Sequence, residues 1–344
     1  MNKTRILVVL LLFMLVGLGL AAYFFYAVYG VNTSIPKGET IITIHDDDGY
    51  DDVKTMLLDS QFIKSSFTYD LVAKFMNYKD GKVKDGKYLI KDGWNNRDLI
   101  GVLRSGNQVP INVTFNNVRN IEELSGKLAP YFAVDSLEIL NHFTSDETLN
   151  KMELDKENIM SLFIPNTYQM YWNASPAAIL ERNKKEYNSF WNNDNRKEKA
   201  QDLELSKAEV YTLASIVEKE TNHKAERKRM AGVYLNRLKR GIPLQADPTV
   251  VYAVGDFSIR RVLNVHLEYD SPYNTYKYAG LPPGPIYMPS VNSIDAVLNA
   301  EEHDYLYFCA KPGYDGAHLF AKTLRQHNVN ANKYRQWLNS EGIR

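Results

Sequence analysis

From Ile6 to Val28 the chain carries no charged side chain. As a helix this run is about 34 Å long, enough to cross the roughly 30 Å hydrocarbon core of a bilayer. A segment of that kind constrains everything after it, because the rest of the chain must then fold on one side of a membrane. Lys3 and Arg5 precede the run and no basic cluster closely follows it. The positive-inside rule therefore predicts a cytoplasmic tail over 1–5, a transmembrane anchor over 6–28 and the remainder outside. A cleaved signal peptide is the competing reading, but the run exceeds a usual signal core and lacks a clear small-x-small exit.

The 344 residues suffice for such an anchor plus two or three domains with a sizeable core. With 44% hydrophobic and 24% charged residues the composition is that of a globular chain, which argues against long disorder. Forty-one basic residues balance 41 acidic ones, so there is no polyelectrolyte footprint for nucleic acid. The single cysteine, Cys309, excludes an internal disulfide and any multi-cysteine metal site. It lies in Tyr305–Ala310, a pattern that reads as a buried strand around a structural thiol.

The periodicity predicts an α+β organisation. Residues 29–38, with Pro36 and Gly38, read as a tether. Residues 39–107 follow as strand, two helices and strand, with a further helix closed by Gly106. That βααβ order is the layout of LysM-like glycan-binding modules. An intermediate α/β region covers 108–205, with a strand at 110–115, helices at 121–128 and 177–191, and a polar loop over 192–201 that reads as a domain boundary. The last part, 206–344, opens on the capping box Ser206-Lys-Ala-Glu209. A helix over about 225–239 follows, then a loop-rich stretch, the strand near Tyr305 and a final helix over about 331–338.

The helix after Ser206 contains an irregularity. Taking Leu213 as the centre of its apolar face, Val210, Ile216 and Val217 fall within about 60° of it at roughly 100° per residue. Glu220 lands about 20° from that centre, whereas Glu218 sits about 140° round on the polar flank. An unpaired carboxylate in a core stripe is costly and tends to stay protonated. A carboxyl protonated near neutrality is what a general acid requires. The position equally suits a Glu that snorkels or pairs with Arg227 or Arg229, and helix geometry alone leaves both readings open. Three polar or stiff stretches accompany it: Gln245-Ala-Asp-Pro-Thr249, Tyr273-Asn-Thr-Tyr276 and Gly280-Leu-Pro-Pro-Gly-Pro285. Together with a misplaced Glu they suggest a sugar cleft.

Metal sites are poorly supported. Glu220-Thr-Asn-His223 has the spacing of a di-iron helix, but no second copy is visible. Asp46–Asp48 misses the calcium-loop register. No metal and no cofactor are expected.

In order along the chain, Leu213-Ala-Ser-Ile-Val-Glu-Lys-Glu-Thr221, Val233-Tyr-Leu-Asn-Arg-Leu238, Leu244-Gln-Ala-Asp-Pro-Thr-Val250, Tyr273-Asn-Thr-Tyr276 and Gly280-Leu-Pro-Pro-Gly284 resemble the motifs of the endolytic murein transglycosylase (YceG-like) family. The apolar run and the Gly86-Lys-Tyr88 and Gly106 pattern also fit. The resemblance implies a single-pass protein of the bacterial cytoplasmic membrane whose catalytic domain, a mixed α/β lytic transglycosylase domain, faces the cell wall. It implies cleavage of the MurNAc-β-1,4-GlcNAc bond within peptidoglycan glycan strands, with closure of a 1,6-anhydroMurNAc end. Glu220 would be the catalytic residue, acting first as acid and then as base, with Thr221 and Glu218 in support. Gln245, Asp247, Asn274 and Tyr276 would line the cleft. Family behaviour further suggests association with peptidoglycan synthase complexes and release of nascent strands. The rivals are a muramidase that uses water and a silent peptidoglycan-binding scaffold. Two stretches depart from the family pattern: Phe163-Ile-Pro-Asn-Thr-Tyr168, where a Trp-Pro pair is frequent, and Tyr287-Met-Pro-Ser290, where a Pro-Gly is more usual.

Overall fold

The computed structural model describes residues 3–313 and 315–342. Met1 and Asn2 of the expected tail, Tyr314, and Ile343 and Arg344 lie outside them. The chain divides into two compact units. The first comprises the residues up to Asn112 with Tyr131–Ala133 and Gln169–Ala174; the second comprises Val113–Pro130, Val134–Tyr168 and the chain from Ser175 onward.

In the first unit, helix α1 (Lys3–Tyr29) carries no charge from Ile6 onward and is long and apolar enough to cross a membrane. Strand β1 (Glu39–Ile44), helices α2 (Tyr50–Asp59) and α3 (Ser66–Phe75), strand β2 (Gly86–Lys91) and helix α4 (Asn96–Ser105) follow. β1 and β2 pair antiparallel with Ile42 opposite Tyr88. Their inward side chains Ile42, Ile44, Tyr88 and Ile90 meet Val53, Leu57, Tyr69, Val72, Leu99 and Leu103 in one core. α4 stops where Gly106 turns left-handed (φ 73°), a conformation that favours glycine.

The expected tether over 29–38 is instead part of this core. Asn32, Thr33 and Ile35 are buried. Asn32 Nδ2 donates to Asn96 Oδ1 at 2.7 Å, and Thr33 Oγ1 donates to the Lys91 carbonyl at 2.7 Å. Asn96 Nδ2 also donates to the Ala27 carbonyl at 2.9 Å, and Ala27 and Val28 are buried. The end of the apolar helix is therefore clamped to the unit, because the Ala27 carbonyl in its last turn finds a side-chain donor there. Pro36 and Gly38 signal a turn, and the sequence does not reveal that the turn is pinned.

The second unit is mainly helical. Strand β3 (Ile111–Phe115) pairs with β4 (Asn166–Met170), and between them lie α5 (Ile121–Leu128), α6 (Ser136–Phe143) and α7 (Asp146–Met152). Then come α8 (Pro176–Asn192), α9 (Arg196–Asp202), α10 (Lys207–Glu220), α11 (Arg227–Lys239), α12 (Asp247–Val254), α13 (Asn264–Leu267) and α14 (Val291–Leu298). The antiparallel pair β5 (Tyr307–Ala310) and β6 (His318–Ala321) and helix α15 (Leu324–Ser340) close the chain.

Three expectations need correction. The polar loop over 192–201 largely forms α9, since Arg196 is buried and binds Asp295 through two nitrogens at 2.7 and 3.2 Å. Arg196 alone serves this internal ion pair, while Asn192–Asn195, Lys197 and Glu198 are exposed, as a solvated stretch would be. The loop-rich stretch contains α12 and α14, and Pro248 occupies the first turn of α12, where a missing N–H costs nothing. The last helix starts at Leu324, capped by Thr323, well before 331.

α10 runs through the middle of this unit, with Val210 to Val217 all buried. Ser206 opens it with the reciprocal bonds of a capping box. Ser215 Oγ accepts from the Ile286 amide at 3.1 Å, tying the Gly280–Pro285 turn to the helix. Gly284 is needed there because a Cβ would lie 1.9 Å from the Glu157 carbonyl oxygen. Gly284→Ala is expected to cost about 1–3 kcal/mol through overpacking, read as a lower unfolding midpoint in thermal denaturation.

Candidate active site

Glu220 is the last residue of α10. It is half-buried there, and among the described residues no basic group forms an ion pair with it. Both arginines that could have paired with it are engaged elsewhere. Arg227 Nη2 donates to Glu218 Oε1 at 2.9 Å, and Arg229 binds Glu301 at 3.0 Å. Burial pushes Glu220 up to about 7; nearness to Tyr234 opposes that rise and the Asp247 carboxylate adds to it. The Tyr234 hydroxyl, on α11, is buried close enough to feel the Glu220 charge yet reaches no acceptor in full hydrogen-bond geometry.

Glu218 lies in different surroundings, although only two residues away. Its side chain is 19% exposed, not spread over a solvated flank. Ser290 Oγ and Ser293 Oγ each donate to Oε2 at 2.6 Å, the Ser290 amide adds a third donor at 3.2 Å, and Arg227 holds Oε1. Burial raises its proton affinity, but these donors outweigh burial and hold the carboxyl below the usual range. Glu218 is thus an ionised strut between α10, α11 and the start of α14. Ser290, one of the departures from the family pattern, supplies two of the donors. The other departure packs inward: Phe163 is buried, and its carbonyl accepts from the Tyr211 hydroxyl at 2.9 Å.

The remaining predicted residues separate into two groups. Asp247 accepts from the Tyr276 hydroxyl at 2.6 Å, and both interact electrostatically with groups of the Glu220 site. Asn274 is fully buried: its Nδ2 donates to the Leu267 and Tyr269 carbonyls at 2.9 and 2.8 Å, and its Oδ1 accepts from the Tyr276 amide. It shapes the loop that presents Tyr276 and offers nothing to a cleft. Gln245 Oε1 accepts from Arg237 Nη2 at 3.0 Å, and its amide donates to the Thr275 carbonyl at 3.0 Å. The backbone of Gln245 is left-handed (φ 53°), a cost offset by these bonds. Thr221, buried at the end of α10, accepts from the His223 amide at 2.9 Å and fixes how the chain leaves the helix. Tyr234 and Arg237 were not foreseen as site residues. The sequence signal for them is that both lie in Val233-Tyr-Leu-Asn-Arg-Leu238, one of the stretches that carry the family resemblance.

Two cavities flank this end of α10. One, of about 440 Å³, reaches Glu218 and Ser290 and is lined also by Asn166 and Thr167. The other, of about 480 Å³, is lined by Asp247, Lys219, Tyr252 and Tyr287. Among the described residues no three His, Cys, Asp or Glu side chains are grouped to hold a metal ion.

The fold and site define a mixed helix-and-strand protein with a long apolar amino-terminal helix and a desolvated acid at a helix end. By its sequence the chain belongs to the YceG-like family, whose model matches residues 42–333. It is 29% identical over 320 residues to the endolytic murein transglycosylase of Bacillus subtilis (strain 168), covering 88% of this chain and 84% of that protein. It is 26% identical over 337 residues to the endolytic murein transglycosylase of Streptococcus pneumoniae (D39), covering 87% of this chain and 57% of the longer relative. The crystal structure of a YceG-like protein from Listeria monocytogenes superposes with a TM-score of 0.54 at 26% identity, over 85% of this chain and 99% of that one.

Proposed function

We propose that this chain is an endolytic peptidoglycan lytic transglycosylase in which Glu220 is the single acid and base. The observation that carries the reading is a carboxyl pushed up to about 7 by burial and left without an ion-pair partner among the described residues, Arg227 and Arg229 being held by other carboxylates. Protonated, Glu220 would deliver its proton to the glycosidic oxygen between MurNAc and GlcNAc. Ionised, it would accept the proton of the MurNAc C6 hydroxyl as that oxygen attacks C1 and closes the 1,6-anhydro ring. The nucleophile belongs to the substrate and is already near its target, so no second catalytic carboxylate is needed. Asp247 and Tyr276 would face the sugar, while Gln245, Asn274, Thr221 and Glu218 hold the surrounding loops. The relatives named as murein transglycosylases support the substrate class.

Anchoring by α1, an extracytoplasmic site, a LysM-like role for the first unit and association with synthase complexes belong to the same proposal. A second reading is hydrolysis, favoured by the Asp247 carboxylate near Glu220. Two carboxyl groups at one bond are what glycosidases use to activate water or trap the sugar.

The test is incubation of the purified chain with intact glycan strands, following strand length. Fragments of intermediate length support an endolytic cut, and unchanged strands contradict it. The rate should also fall as pH rises through about 7, because the acid form of Glu220 is then lost. A rate that climbs steadily from pH 6 to 8 would point to a different acid.

A further inference from the structure

The cavity beside Asp247 is strongly basic for a site built around a protonated acid. Four cationic side chains, Arg119, Lys219, Arg260 and Arg261, line it against the one carboxylate of Asp247. Arg119 is already neutralised by Glu123 at 2.6 Å and stacks over Phe257 with its guanidinium carbon 4.1 Å from the ring centre. Lys219 lies 4.3 Å from the centre of the Tyr287 ring. No carboxylate among the described residues forms an ion pair with Lys219, Arg260 or Arg261. These charges do not serve Glu220 either, since its proton affinity is set by burial, Tyr234 and Asp247. Three uncompensated cations concentrated in one concave, aromatic-walled space attract anions and focus them there. A neutral sugar ring needs none of them.

We propose that this cavity is a carboxylate-recognition subsite. Resting on the glycan-cleaving reading above, the inference narrows its substrate class. The strand would be bound through acidic groups on the lactyl-peptide arm of MurNAc, with Arg260 and Arg261 as the specificity-determining pair and Tyr252 and Tyr287 packing on the sugar beside them. The arm offers two sources of the same chemistry: the carboxylates of a stem peptide, or the free lactyl carboxylate of a strand whose peptide has been removed.

The test measures binding rather than cleavage, using the full-length Glu220→Gln chain and fluorescently labelled glycan strands. Three strands are compared: peptide-bearing with free carboxylates, the same strands with every carboxylate amidated, and amidase-stripped strands carrying the lactyl carboxylate alone. Free carboxylates should tighten Kd about tenfold over the amidated strands at low salt, with the difference shrinking as salt rises. Arg260→Ala/Arg261→Ala should bring that ratio close to one, and Arg260→Lys/Arg261→Lys should keep most of it. Tight binding of stripped strands would identify the lactyl carboxylate as the ligand; weak binding would identify the stem peptide. Equal affinity for free and amidated strands, or a ratio that survives the double Ala substitution, would overturn the proposal. Loss of cleavage by the wild-type chain would overturn the enzymatic reading alone, because the binding ratio is read without turnover.

Discussion

Glu220→Gln should lower glycan cleavage about a thousandfold, in line with the 10²–10⁴ that general acid–base catalysis contributes. The amide keeps the size of the acid and removes its proton. Because Glu220 forms no ion pair among the described residues, the substitution breaks none there, and the fold should survive it. It should in fact gain stability in alkaline solution. A folded-state pKa raised to about 7 from 4.5 favours the native state fully below about 4.5, and that contribution is lost as pH rises through 7. Wild type and variant should therefore diverge toward pH 8, with the variant ahead by on the order of 2–3 kcal/mol in denaturant unfolding. A variant that keeps its full rate would remove Glu220 from the chemistry.

Glu218→Ala should show the opposite pattern. Its carboxylate accepts from Ser290, Ser293 and Arg227, and Arg227 is 97% hidden by its 3% exposure. Removing one partner leaves a buried guanidinium uncompensated, at a cost of about 3–5 kcal/mol. A midpoint fall of roughly 6–20 °C is expected for a unit of this size. The sign with pH is also reversed. Donors hold Glu218 below the usual carboxylate range, so its contribution is present above the unfolded value and lost as pH falls through the folded one. The gap between wild type and Glu218→Ala should then narrow below about pH 4. A Glu218→Ala chain that melts with wild type would show that the strut carries no load.

Much of this site was legible because helix periodicity is a local property. The wheel around Leu213 separates two carboxylates two residues apart and puts only Glu220 among apolar side chains. The capping box at Ser206 locates the start of that helix, and in the structure Ser206 opens it. What periodicity cannot supply is the identity of partners on other elements. Nothing along α10 says that Ser290 and Ser293, more than 70 positions away, bind Glu218, or that Tyr234 lies against Glu220. The same limit explains Asn274, a polar loop residue whose side chain is consumed by carbonyls of its own loop. It explains 29–38 too, where turn-forming residues look like a spacer until Asn32 and Thr33 find their partners. Charged stretches mislead for a related reason. Arg196 reads as solvated because Asp295 is 99 positions further on.

The central claim is that the sugar's own hydroxyl, and not water, completes the cleavage begun by Glu220. Mass analysis of the new ends formed from intact glycan strands tests it most directly. The account predicts 1,6-anhydroMurNAc ends, each lighter by one water than a hydrolysed end. Reducing MurNAc ends as the main product would contradict it and transfer the second step to a water activated beside Asp247.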